Sequence, residues 1–531
     1  MALDKHEQIV NPFLNNVPEN NLLRVRDAVR TQIMHVGGAE ISSRAVVARN
    51  DDPRQLVDRF AHDNLSAMEQ AGLREAALLV QPWAGHYVTT LMAAGLLGCR
   101  YLDFNQSFQG TWEKQFAYIR NHPAEVIVGS GLAGWVSELS PAEKYDALIG
   151  DSNYTLTKAM WGEGQKAFDR FGEVPAWFGI CHGWSPASFM LPRPQKPVTV
   201  LSPENVPITF QPADIKALAS LLWAKAAPGV RFIGGRCNLE PPYEYDPDTQ
   251  RAIQLFNPFV AEDIARQRER YGGGEGEELP EDVPQPGMVP VSLSWEEWDE
   301  ATNEFHTLGG RLIASECADT NPGAWHLAVI NQIGVSQRGM IMDASFSNEV
   351  WNQPLQAYRY TYFNPHTLQQ TDVLADATVS MADFTSDIFH KFRSAEAVSV
   401  VGVIMRVTYA IEPAEVNEPE TVEIQYVESP EEIADMRRAW QLADVDYYYD
   451  LELDVAGRII GGEWYTREHP DFLWTPPAGA RAASRYEGMA SGEWGEGQVM
   501  PESWRAAAVR AAGEGVPLAA VVERMIGLAN G

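Results

Sequence analysis

The chain has 531 residues, 45% of them hydrophobic and 21% charged, with 72 Asp and Glu against 41 Lys and Arg for a formal charge of −31. That length exceeds one compact core and predicts two or three packed units of about 100–200 residues each. The acidic balance opposes binding to a nucleic-acid backbone, which needs clustered cations, and no apolar run approaches the roughly 18–20 residues of a membrane span. The start, Met1-Ala-Leu-Asp-Lys-His-Glu7, lacks a basic segment followed by an apolar core, so no secretory signal is read there and the cytoplasm is the default.

Residues 1–150 read as a mostly helical region, with helices predicted over Leu56–Gln70 and Ala84–Leu97, the second apolar on most sides. Glu125-Val-Ile-Val-Gly129-Ser-Gly131-Leu-Ala-Gly134 reads as a strand running into a G-x-G-x-x-G turn. Asp151 stands 22 residues beyond Gly129 (151 − 129), the spacing of a dinucleotide-binding βαβ unit. Ser140, Pro141 and Glu143 form a capping box that opens a fresh helix through Ala147 and cuts that crossover in two. A dinucleotide-dependent oxidoreductase is therefore the distant reading.

Residues 151–394 carry the chemistry. In Trp177-Phe-Gly-Ile-Cys181-His-Gly-Trp184-Ser-Pro-Ala-Ser188 a thiol sits at a bend set by Gly179 and Gly183, ahead of Ser185 as N-cap and Pro186 as first helical residue. A helix start favours thiolate over thiol. His182 is adjacent, but neighbouring side chains diverge, so it reads as packing. A helix is predicted over Pro212–Ala226, and the Gly-, Pro- and Glu-rich stretch 271–287 as a flexible acidic insertion. Ala324-Trp-His326 onward reads as a strand, then a Gly-containing turn, then a second strand ending at Asp343. That pairing puts His326 and Asp343 side by side, with Asp343 accepting the imidazole Nδ1–H. A Cys…His…Asp order is how papain-like and transglutaminase-like folds assemble a thiol triad.

The four cysteines, Cys99, Cys181, Cys237 and Cys317, show no Cys-x-x-Cys spacing, so neither a zinc site nor a redox dithiol is predicted and no metal is assigned. Cys99 reads as a buried small hydrophobe. Cys237 and Cys317 lie in polar, loop-like settings and are the pair available for a disulfide in an oxidising compartment.

Residues 395–476 are strand-rich, with a buried strand over Val398–Tyr409 and a hairpin over Tyr447–Trp464. Asp450, Glu452 and Asp454 alternate with Tyr449, Leu451 and Leu453, a half-buried strand; the run lacks the glycine and the glutamate of an EF-hand loop. Residues 477–531 are Ala- and Gly-rich and read as an appended tail with two short helices and no chemistry.

Six segments carry a family resemblance: Gly150-Asp-Ser-Asn-Tyr-Thr-Leu-Thr157, Cys181-His-Gly-Trp-Ser-Pro-Ala-Ser188, Arg231-Phe-Ile-Gly-Gly-Arg-Cys-Asn238, Asp319-Thr-Asn-Pro-Gly-Ala-Trp-His326, Val350-Trp-Asn-Gln-Pro354, and Gly461-Gly-Glu-Trp464 with His469-Pro-Asp-Phe-Leu-Trp474. Together they resemble the elicitor family of transglutaminases, known from secreted wall proteins of plant pathogens and with bacterial relatives. The resemblance implies a protein-glutamine γ-glutamyltransferase with Cys181, His326 and Asp343 as its triad. It implies protein partners, one donating a glutamine and one a lysine or other primary amine, no cofactor, and export. The fold expected is α+β, a nucleophile helix packed on an antiparallel sheet bearing His326 and Asp343. Trp161, Trp177, Trp184, Trp325 and Trp351 are candidates for the wall of a dry acyl channel, and Trp161 and Trp177 also for an oxyanion-binding indole. The same triad also serves a deamidase or a cysteine peptidase. The acidic insertion and the Ala-rich tail have no counterpart in the resemblance, and Pro192 and Pro194 shorten the helix after Cys181.

Overall fold

The structure, a computed structural model, describes residues 51–85, 100, 112–172, 179–235, 320–344, 350–385, 387, 389–390, 393–411, 442–466 and 469–531, with the short strands at 255–256, 294–299, 304–309 and 311–312. The first described turn is a 3-10 helix, Pro53–Gln55, followed by helix α1 (Leu65–Gln70), whose Asn64 cap accepts the Ala67 N–H. The helix expected over Leu56–Gln70 is confined to this last stretch. Its first half is taken by other partners: Gln332 accepts the Asp58 N–H at 2.8 Å, and Asn331 accepts those of Ala61 and His62 at 2.8 and 3.0 Å. Those donors are lost to any helical ladder. Strand β1 (Glu75–Ala77) follows; Ala84 and Gly85 are not helical, and residues 86–99 of the second expected helix lie outside the described residues.

Helices α2 (Trp112–Asn121), α3 (Ala124–Ser130), α4 (Ala133–Ser137), α5 (Pro141–Ile149) and α6 (Thr155–Phe171) come next. The segment read as a strand before Gly129 is α3. Gly131 ends it at φ 65°, the left-handed conformation of a helix terminator. The glycine fingerprint Gly129–Gly134 thus joins two helices, and Asp151 turns its carboxylate onto the local N–H groups of Asn153 and Thr155 at 3.0 and 2.9 Å. The dinucleotide reading falls with the missing strand. The capping box is realised as expected, Ser140 and Glu143 exchanging side chain for backbone at 3.2 and 3.0 Å, and its helix runs on to Ile149.

Helix α7 (Cys181–Met190), the hairpin β2 (Val198–Leu201) and β3 (Pro207–Phe210), helix α8 (Pro212–Ala226) and strand β4 (Arg231–Gly234) lead to short pieces β5 (Leu255–Phe256), β6 (Ser294–Asp299), β7 (Glu304–Gly309) and β8 (Arg311–Leu312). Helix α9 (Pro322–Val329) continues as a π-helical turn, Ile330–Val335. After it come β9 (Ile341–Asp343), β10 (Asn352–Phe363), β11 (Gln370–Thr371), α10 (Leu374–Ala377), β12 (Thr378–Ser380), β13 (Ser399–Ala410), β14 (Leu442–Leu453), β15 (Ile459–Gly461) and β16 (Phe472–Thr475). Helices α11 (Glu502–Ala512) and α12 (Ala519–Asn530) close the described chain.

Ten strands make one antiparallel sheet in the order β15-β14-β13-β10-β9-β16-β4, with β1 and β11 added on β10 and β12 on β13. The fold is α+β. One hydrophobic core is helical, drawing on α3–α8, α11 and α12; a second joins α1, α9 and one face of the sheet. The segment read as an appended tail is part of the first core. Ala507, Ala508, Ala511, Leu518 and Val522 are buried in it, and the Leu518 N–H donates to the Tyr145 hydroxyl at 2.8 Å.

The alternating acidic strand is buried on both faces. Arg393 lies across it, bidentate to Asp450 at 2.5 Å and to Asp387 at 3.0–3.1 Å, with Glu452 at 3.5 Å. A solvated face was the simple expectation from the pattern; a single guanidinium fork, matched to carboxylate geometry, makes the burial tolerable.

Within the helical core Lys144 and Asp214 form an ion pair at 2.8 Å with no solvent exposure, and the same carboxylate caps α8 through the Gln211 N–H at 2.7 Å. Removing one partner of such a pair leaves a desolvated charge. Lys144→Met is expected to cost about 3–5 kcal/mol in equilibrium urea unfolding; a loss below about 1 kcal/mol would mean that water reaches Asp214 in the native state.

Candidate active site

Helix α7 begins at Cys181, five residues earlier than its sequence signals suggest (186 − 181), with Ile180 as cap. Pro186 lies inside the helix, where its missing N–H costs one ladder bond. Ser185 is no cap: its hydroxyl leaves the helix and donates to the Asn352 carbonyl of β10 at 2.5 Å. Gly183 lets α7 lie against α8; a Cβ there would stand 2.5 Å from the Ala224 Cβ. Trp184 fixes the far side, its indole donating to the Trp83 carbonyl at 3.1 Å.

So seated, Cys181 is 9% exposed and is the first residue of its helix, where amide N–H groups converge and thiolate is favoured. The Asn352 side-chain Nδ2 donates to its Sγ at 3.3 Å. The Trp474 indole donates to Asn352 Oδ1 at 2.8 Å. Asn352 pairs with Asp343 across β10 and β9, and directly opposed residues project to one face of a sheet. Asp343 is fully buried, and its Oδ1 accepts the Trp351 N–H at 2.9 Å.

Successive residues of these strands divide between two faces. Ile341, Phe472 and Trp474 cluster with Phe189 of α7, whereas Met342, Leu473 and Ile233 cluster with Ala324 and Trp325 of α9. Asp343 shares the parity of Ile341, so it faces the thiol helix. His326 does not. It was expected on a strand beside Asp343, but Asn321 and Pro322 start a helix there, and α9 packs on the opposite face. The His326 Nδ1 bonds the Tyr449 hydroxyl at 2.8 Å, its ring stands edge-on to Tyr360 at 4.9 Å, and its Nε2 has no partner among the described residues. Burial drops its pKa from 6.5 to about 3. His182, next to the thiol in sequence, is pushed down to about 4 by burial and by the Lys225 charge, and bonds the Ala224 backbone. Both imidazoles are neutral at neutral pH.

The tryptophan candidates separate likewise. Trp161 lies in α6 against Phe116, Trp184 is bonded to Trp83, and Trp325 packs on Tyr447 and Trp464 behind the sheet. Trp351 is beside Asp343 through its backbone. Trp177, Cys99, Cys237, Cys317 and the 271–287 insertion lie outside the described residues. Two residues at the thiol were not singled out from sequence, Asn352 and Trp474. Both stand in segments that carry the family resemblance, but their contacts span 171 and 122 positions, beyond any local pattern.

Residues 163–251 and 296–488, a little over half of the chain, match the transglutaminase elicitor family. The chain belongs to that family. Cys181 falls in the first matched stretch, and Asp343, Asn352 and Trp474 in the second. Among solved structures, the GP42 transglutaminase from Phytophthora sojae is similar at 20% identity and a TM-score of 0.42, with 80% of this chain and 94% of that one covered. No curated protein matches. Among the described residues this elicitor-family chain has no helix long and apolar enough to cross a membrane and no cluster of His, Cys, Asp and Glu fit for a metal ion.

The buried imidazoles fix a sign for acid stability. With the native pKa of His326 depressed from 6.5 to about 3 and that of His182 to about 4, the unfolded chain binds more protons across that window. Stability is complete above pH about 6.5 and falls as pH drops toward about 3. Urea midpoints between pH 7.5 and 4 are expected to fall for the wild type and to fall less for His326→Gln. Parallel curves would show that His326 takes up its proton without unfolding.

Proposed function

We propose that the chain is a protein-glutamine γ-glutamyltransferase with Cys181 as nucleophile. The observation that carries this reading is the seating of the thiol: first residue of a buried helix, with a fixed side-chain amide 3.3 Å from Sγ. Membership of the transglutaminase elicitor family supports the same chemistry.

In the first half-reaction Sγ attacks the carbonyl carbon of a glutamine γ-carboxamide. The C–S bond forms, the C–N bond breaks, and the nitrogen leaves as ammonia with the proton the thiol gave up. In the second, a primary amine such as a lysine ε-amine attacks the thioester. The new C–N bond forms, the C–S bond breaks, and the amine proton returns to sulfur. Asp343, on the thiol's face of the sheet and held by the Trp351 N–H, is the group we assign to carry that proton. His326, behind the sheet and bonded to Tyr449, has a structural role in this reading.

The test uses a glutamine-containing donor peptide and a fluorescent primary amine, following amide product, free glutamate, ammonia and backbone cleavage together. Wild type is expected to incorporate the amine with release of ammonia, and Cys181→Ala to fall to background. Asp343→Asn is expected to lose about 10²–10⁴-fold, and His326→Gln to retain turnover per folded molecule. Free glutamate as the main product would make the protein a deamidase, and a cut backbone a peptidase. A folded but inactive His326→Gln with an active Asp343→Asn would restore the imidazole as base and require it to reach the thiol during turnover.

A further inference from the structure

Asn352 is better placed than a packing residue needs to be. It is 1% exposed, and three contacts fix it. Its carbonyl accepts the Ser185 hydroxyl of the nucleophile helix at 2.5 Å, so β10 and α7 are tied at this residue. Its Oδ1 accepts the Trp474 indole N–H at 2.8 Å, and its Nδ2 is directed at Cys181 Sγ at 3.3 Å. An indole N–H is a donor only. It must face the oxygen of the carboxamide, so the other end, the NH₂, is obliged to face the sulfur. The two ends of a carboxamide are otherwise nearly isosteric, and only such a partner removes the ambiguity.

We propose that the Asn352 side-chain amide is a catalytic residue, the donor that stabilises the tetrahedral oxyanion, and that Trp474 is the positioning residue that dictates which way the amide faces; the proposal rests on the acyl-transfer reading of Cys181. When Sγ bonds the carboxamide carbon, the π pair of the C=O moves onto oxygen. That oxygen is then two bonds from sulfur, within reach of an N–H already held beside Sγ. The charge returns as the C=O re-forms and ammonia or sulfur departs, so the amide gives up no proton and no electrons. A neutral donor fixed in a buried setting stabilises developing charge strongly, because it does not have to reorient as the reaction proceeds. In this proposal the indole of Trp474 acts on the amide rather than on the oxyanion itself.

Three variants separate this from a merely structural role, each read for acylation (kcat and KM with the donor peptide), for the pH dependence of Cys181 alkylation by iodoacetamide, and for near-UV circular dichroism. Asn352→Asp is isosteric and keeps an acceptor for Trp474 while replacing the donor by an anion. It is expected to lower kcat/KM by about 10²–10³-fold or more, with Cys181 still alkylated. Asn352→Ala is expected to lose a similar factor in kcat with the alkylation profile little changed, since alkylation forms no oxyanion. Trp474→Phe keeps the ring packing but lets the amide turn; a smaller loss in kcat at unchanged KM is expected, and none beyond that of Asn352→Ala when the two are combined. Acylation within about threefold of wild type in Asn352→Asp would overturn the proposal. So would acylation and alkylation falling in parallel in folded Asn352→Ala, which would make the amide a modulator of the thiol. An active Cys181→Ala would instead remove the acyl-transfer reading beneath it.

Discussion

Everything at the thiol depends on how closely one short helix is allowed to lie against its neighbours. Helix α7 is wedged between α8 and the edge of β10, and Gly183 and Ser185 set the two distances. At Gly183 there is no room for a side chain beside Ala224, so the helix axis is drawn inward. At Ser185 a hydroxyl that helices commonly turn back on their own carbonyls is given to a strand. Those two contacts set where the start of the helix, and with it Cys181, stands.

The sheet then acts as a partition. Side chains alternate along each strand with a period of two, so neighbouring residues such as Ile341 and Met342 belong to different cores. One face holds thiol, carboxamide and carboxylate; the other holds His326 among tyrosines and tryptophans, where its Tyr449 bond and edge-on ring contacts suit an uncharged imidazole. The bulge between Leu355 and Ala357 sits where β10 passes from pairing with β9 to pairing with β13, and it returns Tyr358, Tyr360 and Tyr362 to the face of Leu355.

Much of this is legible in the sequence, and the exceptions share a cause. The helices at Pro141 and Pro212 were readable because their caps are local, a proline and an acid within one turn. The strand at Ser399–Ala410 was readable from its β-branched run. Glu125–Gly129 and Ala324–Ile333 are short apolar runs whose periodicity does not separate strand from helix; both were read as strands, and both are helical. Cys181 was identified from its glycines, but the starting residue of its helix was misplaced because Ser185 and Pro186 mimic a cap. Asn352 and Trp474 had no local signature at all. Their meaning comes from a donor-only indole meeting an amide contributed from far along the chain.

The entry of α11 and α12 into the helical core bears on how the protein is made. Leu518 bonds Tyr145, and Glu487 receives the Ala519 and Ala520 N–H groups at 2.8 and 2.9 Å. The framework under the thiol helix is therefore finished by helices synthesised long after Cys181. Trp474 also reaches the ribosome's exit long after Cys181. During synthesis, at about 5–20 residues per second, the thiol spends an interval without the partners that orient its amide. A nascent chain that has emerged only as far as Cys181 therefore lacks the indole that holds the Asn352 amide beside Sγ, and the setting of the thiol is complete only after the segment carrying Trp474 has followed.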